Sequence, residues 1–197
     1  AISYLVKKYN VDAGVMISAS HNLFMDNGIK FFNSNGFKLS DNIEEEIEDY
    51  IINKYSDIPY LEGKEIGYKE VKEEAIEDYI DFLKSTLDIN FEDIDVTIDC
   101  ANGATYQVAP ILFEDLKANT NVIFREPNGI NINDNCGSTH MEILCKEVVN
   151  NKSHIGIAFD GDGDRCLFVD ENGSIVDGDE IMAICGNYLK EQGKLKD

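Results

Sequence analysis

At 197 residues, with 43% apolar residues and three prolines, the chain is long enough for one or two domains with a real core. Its net charge of −21 argues against nucleic acid or an anionic membrane surface as a partner, so an anionic small substrate would need a local cation or a bound metal. No apolar run approaches the ~20 residues of a membrane span. The five scattered cysteines, without CxxC spacing, read as reduced thiols of a cytoplasmic protein.

Residues 2–9 read as an amphipathic helix, with Leu5 and Val6 inward. Residues 13–18 form a short buried strand, 19–28 a polar loop and 29–33 a second strand. Ser34-Asn35-Gly36 is a turn signal, so Phe37–Leu39 should pair back as a hairpin arm. Asp41 with Glu44 suggests a capping box for a helix to about Lys54, with Ile43, Ile47, Tyr50 and Ile51 on its apolar face. Residues 55–70, with Pro59, Gly63 and Gly67, read as a linker and domain boundary. A helix over about 71–87 follows, with Ile76, Tyr79, Ile80, Leu83 and Leu87 inward.

The pattern then repeats as strand, loop, helix. Strands are expected at 96–100, 121–125 and 154–159, with helices at 108–116 and 140–150. This alternation implies an α/β fold with a parallel sheet. Ligands in such sheets sit beyond the carboxyl ends of the strands. The Asn102-Gly103 loop, the 126–139 loop and the loop after Phe159 all lie there. A hairpin, Cys166–Asp170 with Ser174–Val176, and a helix from Asp177 to Leu189 complete the reading. The opening on Ala1 and the stop just after this helix suggest a piece of a longer protein.

Two stretches carry chemistry. In the first, Asp160, Asp162 and Asp164 are separated by glycines and followed by Arg165, between apolar runs. Residues two apart in an extended backbone point the same way, so the carboxylates can converge. At about 5 Å apart, unneutralised, they would repel by roughly 3 kcal/mol per pair at an effective dielectric near 20. A dication relieves that cost, and all-oxygen ligands suit Mg²⁺, Ca²⁺ or Mn²⁺ rather than Zn²⁺. Asp160, Asp162, Asp164 and Glu171 also match positions 1, 3, 5 and 12 of a helix-loop-helix calcium loop. However, Arg165 stands where that loop needs glycine, and the flanks read as strands. The second stretch is Ser18-Ala19-Ser20-His21-Asn22 with Asp26-Asn-Gly-Ile-Lys30. Taken alone it reads equally as a turn with internal caps. Serine is a weak nucleophile without help, and no GxSxG elbow or Walker-type loop surrounds it.

Together, Ser-Ala-Ser-His-Asn, Asp-Asn-Gly-Ile-Lys and the downstream Asp-Gly-Asp-Gly-Asp-Arg resemble the α-D-phosphohexomutase superfamily. Asp99-Cys-Ala-Asn-Gly-Ala-Thr105, Asn131-Ile-Asn133 and Asn135-Cys-Gly-Ser-Thr-His140 narrow the likeness to its bacterial phosphoglucosamine mutase family. Leu23 departs from that family's usual proline, which bears on the shape of the serine loop and not on its chemistry.

The resemblance implies mixed-sheet α/β domains of phosphohexomutase type: a partial first domain over 1–70, a complete second domain over 71–173 and the start of a third over 174–197. It implies interconversion of glucosamine 6-phosphate and glucosamine 1-phosphate through a bisphosphate, with a phosphoserine at Ser20. Mg²⁺ would be held by Asp160, Asp162, Asp164 and the Ser20 phosphate. Arg165 would brace the phosphate, Lys30 would serve proton transfer or charge stabilisation, and His21 would orient the serine loop. His140 and His154 are expected to cap or pack. The implied partner is a hexosamine phosphate, with no nucleic acid and no membrane. The family's sugar-recognition and distal phosphate loops have no counterpart here, so this piece alone is expected to lack mutase turnover. Phosphomannomutase or phosphoglucomutase chemistry, a metal-dependent phosphatase and a non-catalytic metal-binding module are the alternatives.

Overall fold

A computed structural model describes residues 1–195, so the end of the 174–197 segment lies outside the described residues. The chain groups into two compact units, 1–17 with 29–79, and 18–28 with 80 onward.

In the first unit, helix α1 (Ile2–Lys8) precedes strand β1 (Ala13–Ser18), which pairs with β2 (Gly28–Asn33). Gly14 lets α1 lie close on β1: a Cβ there would come within 2.5 Å of Val6 and 2.7 Å of Ile2. The Ser34–Gly36 turn forms, with Gly36 at φ +76°. Its expected return arm shrinks to a single bridge, Phe32 with Lys38. Helix α2 (Asp41–Ile52) starts one residue earlier than a capping box requires. Ser40 is the N-cap, the residue three positions on is Ile43, and no side-chain cap bond forms. The expected apolar face is also uncovered, since Ile43, Tyr50 and Ile51 are exposed. Residues 55–70 are exposed throughout and carry two single 3₁₀ turns, Tyr55–Asp57 and Gly63–Glu65. Helix α3 (Ala75–Ser85) begins in this unit, where Asp78 accepts from Tyr9 Oη at 2.7 Å and pairs with Lys8 Nζ at 2.8 Å. Its inward residues are fewer than expected: Ile80 is buried, while Ile76 and Leu87 are exposed.

The second unit is built on a five-stranded mixed sheet, ordered β4-β3-β5-β6-β7. Strands β3 (Asp95–Asp99), β4 (Asn119–Ile123) and β5 (Ile155–Phe159) are parallel. The hairpin strands β6 (Cys166–Asp170) and β7 (Ile175–Val176) add to it antiparallel. Side-chain alternation splits the core in two. Val96, Ile98 and Ile157 pack with Ala109 of helix α4 (Thr105–Asp115), and Ala158 and Val169 pack with Leu144 and Val148 of helix α5 (Glu142–Asn151). Gly156 fits α5 onto the sheet, because a Cβ there would lie 2.5 Å from Val148. Helix α4 starts three residues before its expected position and carries Pro110 inside, at the cost of one helical N–H. Helix α6 (Gly178–Glu191) opens with a capping box between Asp177 and Glu180. Among the described residues, no helix is long and apolar enough to cross a membrane.

Asp99 ends β3 fully buried, accepting from the Ala101 and Gly137 backbone N–H groups at 2.8 Å each. It thereby ties two loops on the sheet's carboxyl edge. Burial outweighs these bonds and pushes its carboxyl up to about 6 from 3.8. The folded state therefore holds this proton more tightly than the unfolded chain does. Its stabilising effect is full below about pH 4 and is lost as pH rises through about 6. Urea unfolding across this window should show the wild type losing on the order of 3 kcal/mol relative to Asp99→Asn, whose own profile lacks this decline. Parallel profiles would refute the assignment.

Candidate active site

The stretch after β5 is a loop, as expected, but the alternation that would align its carboxylates holds only for an extended backbone. The loop turns, with the Gly163 N–H donating to the Asp160 carbonyl at 3.1 Å and Gly163 at φ +70°. Glycine tolerates that left-handed angle without steric penalty. The carboxylates still gather, because the turn wraps them around one point. One oxygen from each of Asp160, Asp162 and Asp164 lies within 4.8 Å of the others. Asp160 is 1% exposed, Asp162 is half-buried and Asp164 faces solvent. An all-oxygen set this close fits a hard dication such as Mg²⁺. Glu171 falls in the turn beyond β6, about 16 Å of strand away, so the calcium-loop pattern lacks its last ligand.

Arg165 closes the loop on itself. Its Nε donates to Asp160 Oδ2 at 3.0 Å, and its backbone N–H donates to Oδ1 at 3.2 Å. Nε also lies 3.8 Å from Asp164 Oδ1. The other end of the guanidinium reaches the serine loop, where Nη2 donates to Ser20 Oγ at 3.0 Å and to His21 Nδ1. His21 Nδ1 stands 3.5 Å from Ser20 Oγ. Ser20, His21, Asp160, Asp162, Asp164 and Arg165 are thus brought together. Lys30 belongs to the first unit, on β2. His154 caps β5, accepting from the Asp95 N–H at 2.9 Å. His140 shares with His21, Asp26 and Asp134 the lining of a cavity of about 370 Å³ beside the serine loop.

Several residues at the site were not assigned from sequence. Ser18 Oγ donates to Asp162 Oδ2 at 2.9 Å and accepts from the Ser20 N–H at 2.8 Å, joining the two loops directly. Asn133 Nδ2 donates to the carbonyls of Ser20 at 3.0 Å and Asn22 at 2.8 Å. Gly161 leaves room for this junction, since a Cβ there would lie 2.5 Å from both Asn133 Nδ2 and the Ser20 carbonyl. Ser20 itself sits at φ +53°, a left-handed angle that costs a non-glycine residue roughly 1–2 kcal/mol. Ser18 and Asn133 lie inside motifs that the sequence displays. Their roles depend on contacts across 144 and 113 residues of chain.

Two successive family models match the chain: phosphoglucomutase/phosphomannomutase alpha/beta/alpha domain I over residues 1–57, and domain II over 77–173. The chain belongs to the phosphoglucomutase/phosphomannomutase family. A phosphoglucosamine mutase of Ruminiclostridium cellulolyticum is 58% identical over 99% of this chain, which spans 43% of that relative. A solved phosphoglucomutase/phosphomannomutase family protein of Burkholderia thailandensis superposes with TM-score 0.72 at 24% identity, over 92% of this chain and 39% of its own. The Aspergillus fumigatus N-acetylphosphoglucosamine mutase, solved with GlcNAc-6P and magnesium, gives TM-score 0.54 at 18% identity, over 98% of this chain and 52% of its own. Both structural likenesses are likenesses of fold. The chain spans under half the length of the curated relatives it matches.

Gly103, in the loop after β3, backs onto the aspartate loop. The Ala104 N–H donates to the Gly161 carbonyl at 2.8 Å, and a Cβ on Gly103 would fall onto that carbonyl, 2.7 Å from the Gly161 Cα. Backbone cannot yield there as a side-chain tip would. Gly103→Ala should therefore destabilise the second unit by about 1–3 kcal/mol and speed hydrogen exchange in residues 160–165. Unchanged stability and exchange would show that the loops do not meet at this point.

Proposed function

We propose that this chain supplies the phosphoserine and metal half of a phosphoglucosamine mutase, which interconverts glucosamine 6-phosphate and glucosamine 1-phosphate. The observation that carries the reading is Arg165, whose guanidinium holds the buried Asp160 at one end and Ser20 Oγ at the other. The whole-chain likeness to phosphoglucosamine mutases supports the choice of sugar. On this reading residues 1–70 are the C-terminal part of a first domain, 71–173 a second domain, and 174 onward the start of a third.

Phosphoryl transfer needs positioning and charge neutralisation more than covalent help from side chains. Phosphorylated Ser20 hands its phosphoryl group to a sugar hydroxyl: the serine O–P bond breaks, the sugar O–P bond forms, and the proton given up by the sugar hydroxyl is balanced by one taken up at Ser20 Oγ, which is restored as a hydroxyl. The bisphosphate reorients and returns its other phosphoryl group to Ser20. Arg165, already within hydrogen-bond reach of Ser20 Oγ, binds the phosphate oxygens through its planar fork. His21 accepts from the same guanidinium and orients the serine turn. Lys30 is the candidate to take or return the hydroxyl proton. Asp160, Asp162 and Asp164, with the Ser20 phosphate, would hold Mg²⁺. When bound, the ion supplies positive charge to the phosphate oxygens. In a chain of net charge −21, these local cations are what make an anionic sugar admissible. A metabolic role in the cytoplasm accords with this substrate.

The test uses the whole protein, supplied with glucosamine bisphosphate and Mg²⁺. Intact mass should gain one phosphate, located on the peptide containing Ser20, and glucosamine 1-phosphate should form from glucosamine 6-phosphate. Ser20→Ala should lose both. Arg165→Ala should lower kcat by about a hundredfold or more, the scale of losing one preorganised donor to developing charge. Absence of phosphate on Ser20 overturns the mechanism. Phosphate release outpacing isomerisation makes the protein a phosphatase, and faster turnover of mannose or glucose phosphates changes the sugar.

A further inference from the structure

We propose that Asn133 is a positioning residue for the reactive serine, fixing the backbone of Ser20 so that its hydroxyl faces Arg165. The inference rests on the reading of Ser20 as the phosphoryl carrier and goes beyond it.

Asn133 is 2% exposed and sits in the long loop between β4 and α5. Its own backbone is fixed first: its N–H donates to the Ala101 carbonyl at 2.9 Å, in the loop after β3, and its φ is +57°, an angle at which asparagine is enriched among non-glycine residues. A carboxamide nitrogen carries two hydrogens. Here that one nitrogen donates to two carbonyls, Ser20 at 3.0 Å and Asn22 at 2.8 Å, on either side of His21. Its donor capacity is therefore used entirely on the serine turn. Asn133 is itself buried, so leaving either of these hydrogens unpaired would cost its desolvation, which favours the one arrangement of the serine turn that accepts both.

The grip acts on a backbone that would not adopt its conformation freely. Ser20 stands at φ +53°, and its N–H is held from the opposite side by Ser18 Oγ. The residue is thus clamped at its nitrogen by Ser18 and at its carbonyl by Asn133. Gly161 closes the junction: the Ser20 carbonyl and Asn133 Nδ2 occupy the space a side chain there would fill. The serine loop is in this way seated on the first residue after Asp160. Without the Asn133 donors the Ser20–His21 peptide can rotate, and Oγ then leaves the Arg165 guanidinium. Asn133→Asp keeps the shape, removes both hydrogens and adds a buried charge, whereas Asn133→Ser removes the reach to both carbonyls without adding charge. A local effect common to the two variants therefore belongs to the lost donors and not to the charge.

The experiment uses the whole protein with Asn133→Asp and Asn133→Ser, read two ways. Hydrogen exchange should speed by about tenfold or more in residues 19–25 while strands 95–99 and 155–159 keep wild-type protection. Steady-state kinetics should show kcat for glucosamine 6-phosphate falling by about a hundredfold, the scale of misplacing a reacting group, with KM within about twofold. Unchanged exchange in 19–25 overturns the proposal. A rise in KM at constant kcat also overturns it, by making Asn133 a substrate contact. Loss of protection through both strands in both variants overturns it as well, since Asn133 would then hold the fold and not the serine. Failure of the wild-type Ser20 to take phosphate would sink the mutase reading, yet the exchange data would still decide whether Asn133 holds the loop.

Discussion

Asp160 is a carboxylate with almost no access to water, and that burial sets the terms for everything around it. A buried charge left uncompensated would cost several kcal/mol. Arg165, five residues later, answers it with both its backbone N–H and its Nε. The compensation is local in sequence, so the loop carries its own counter-charge wherever β5 places it. The rest follows from a guanidinium having two ends. With Nε committed to Asp160, the remaining donors are aimed outward at a fixed angle, and Ser20 and His21 meet them there.

The sheet explains why the loops converge. Strands β3, β4 and β5 run parallel, so the loops after them open on the same edge. Asp99 bridges two of these loops with backbone N–H groups from Ala101 and Gly137. Gly103 and Gly161 let two backbones touch where side chains would hold them apart. Three loops distant in sequence become one polar surface above a core of valine, isoleucine and leucine.

How much of this can be read from the sequence depends on how local the cause is. The strands 95–99, 155–159 and 166–170 and the helices between them follow from alternation and periodicity, which are properties of neighbours. The aspartate and serine stretches stand out because their residue types are costly in that spacing. Where the cause is not local, the reading falters. The order Asp41, Glu44 has the composition of a capping box, but Ser40 takes the cap and leaves Ile43 in the position that needed an acceptor. The apolar residues of α2 mark a face, yet periodicity alone cannot say what covers it. The aspartate stretch reads as a loop and is one, but alternation aligns its carboxylates only on an extended backbone; one left-handed glycine makes a turn, and they gather by a different route. Ser18 and Asn133 act only through partners far along the chain, so nothing in their neighbourhood announces what they hold.

The left-handed backbone of Ser20 has a consequence for how this position can change. Glycine there would relieve the steric cost and fit the turn better. It would also remove the hydroxyl that meets Arg165. Stability and the proposed phosphoryl-carrying role therefore pull in opposite directions at a single residue, and selection for a more robust fold alone would favour erasing the hydroxyl that this proposed role needs.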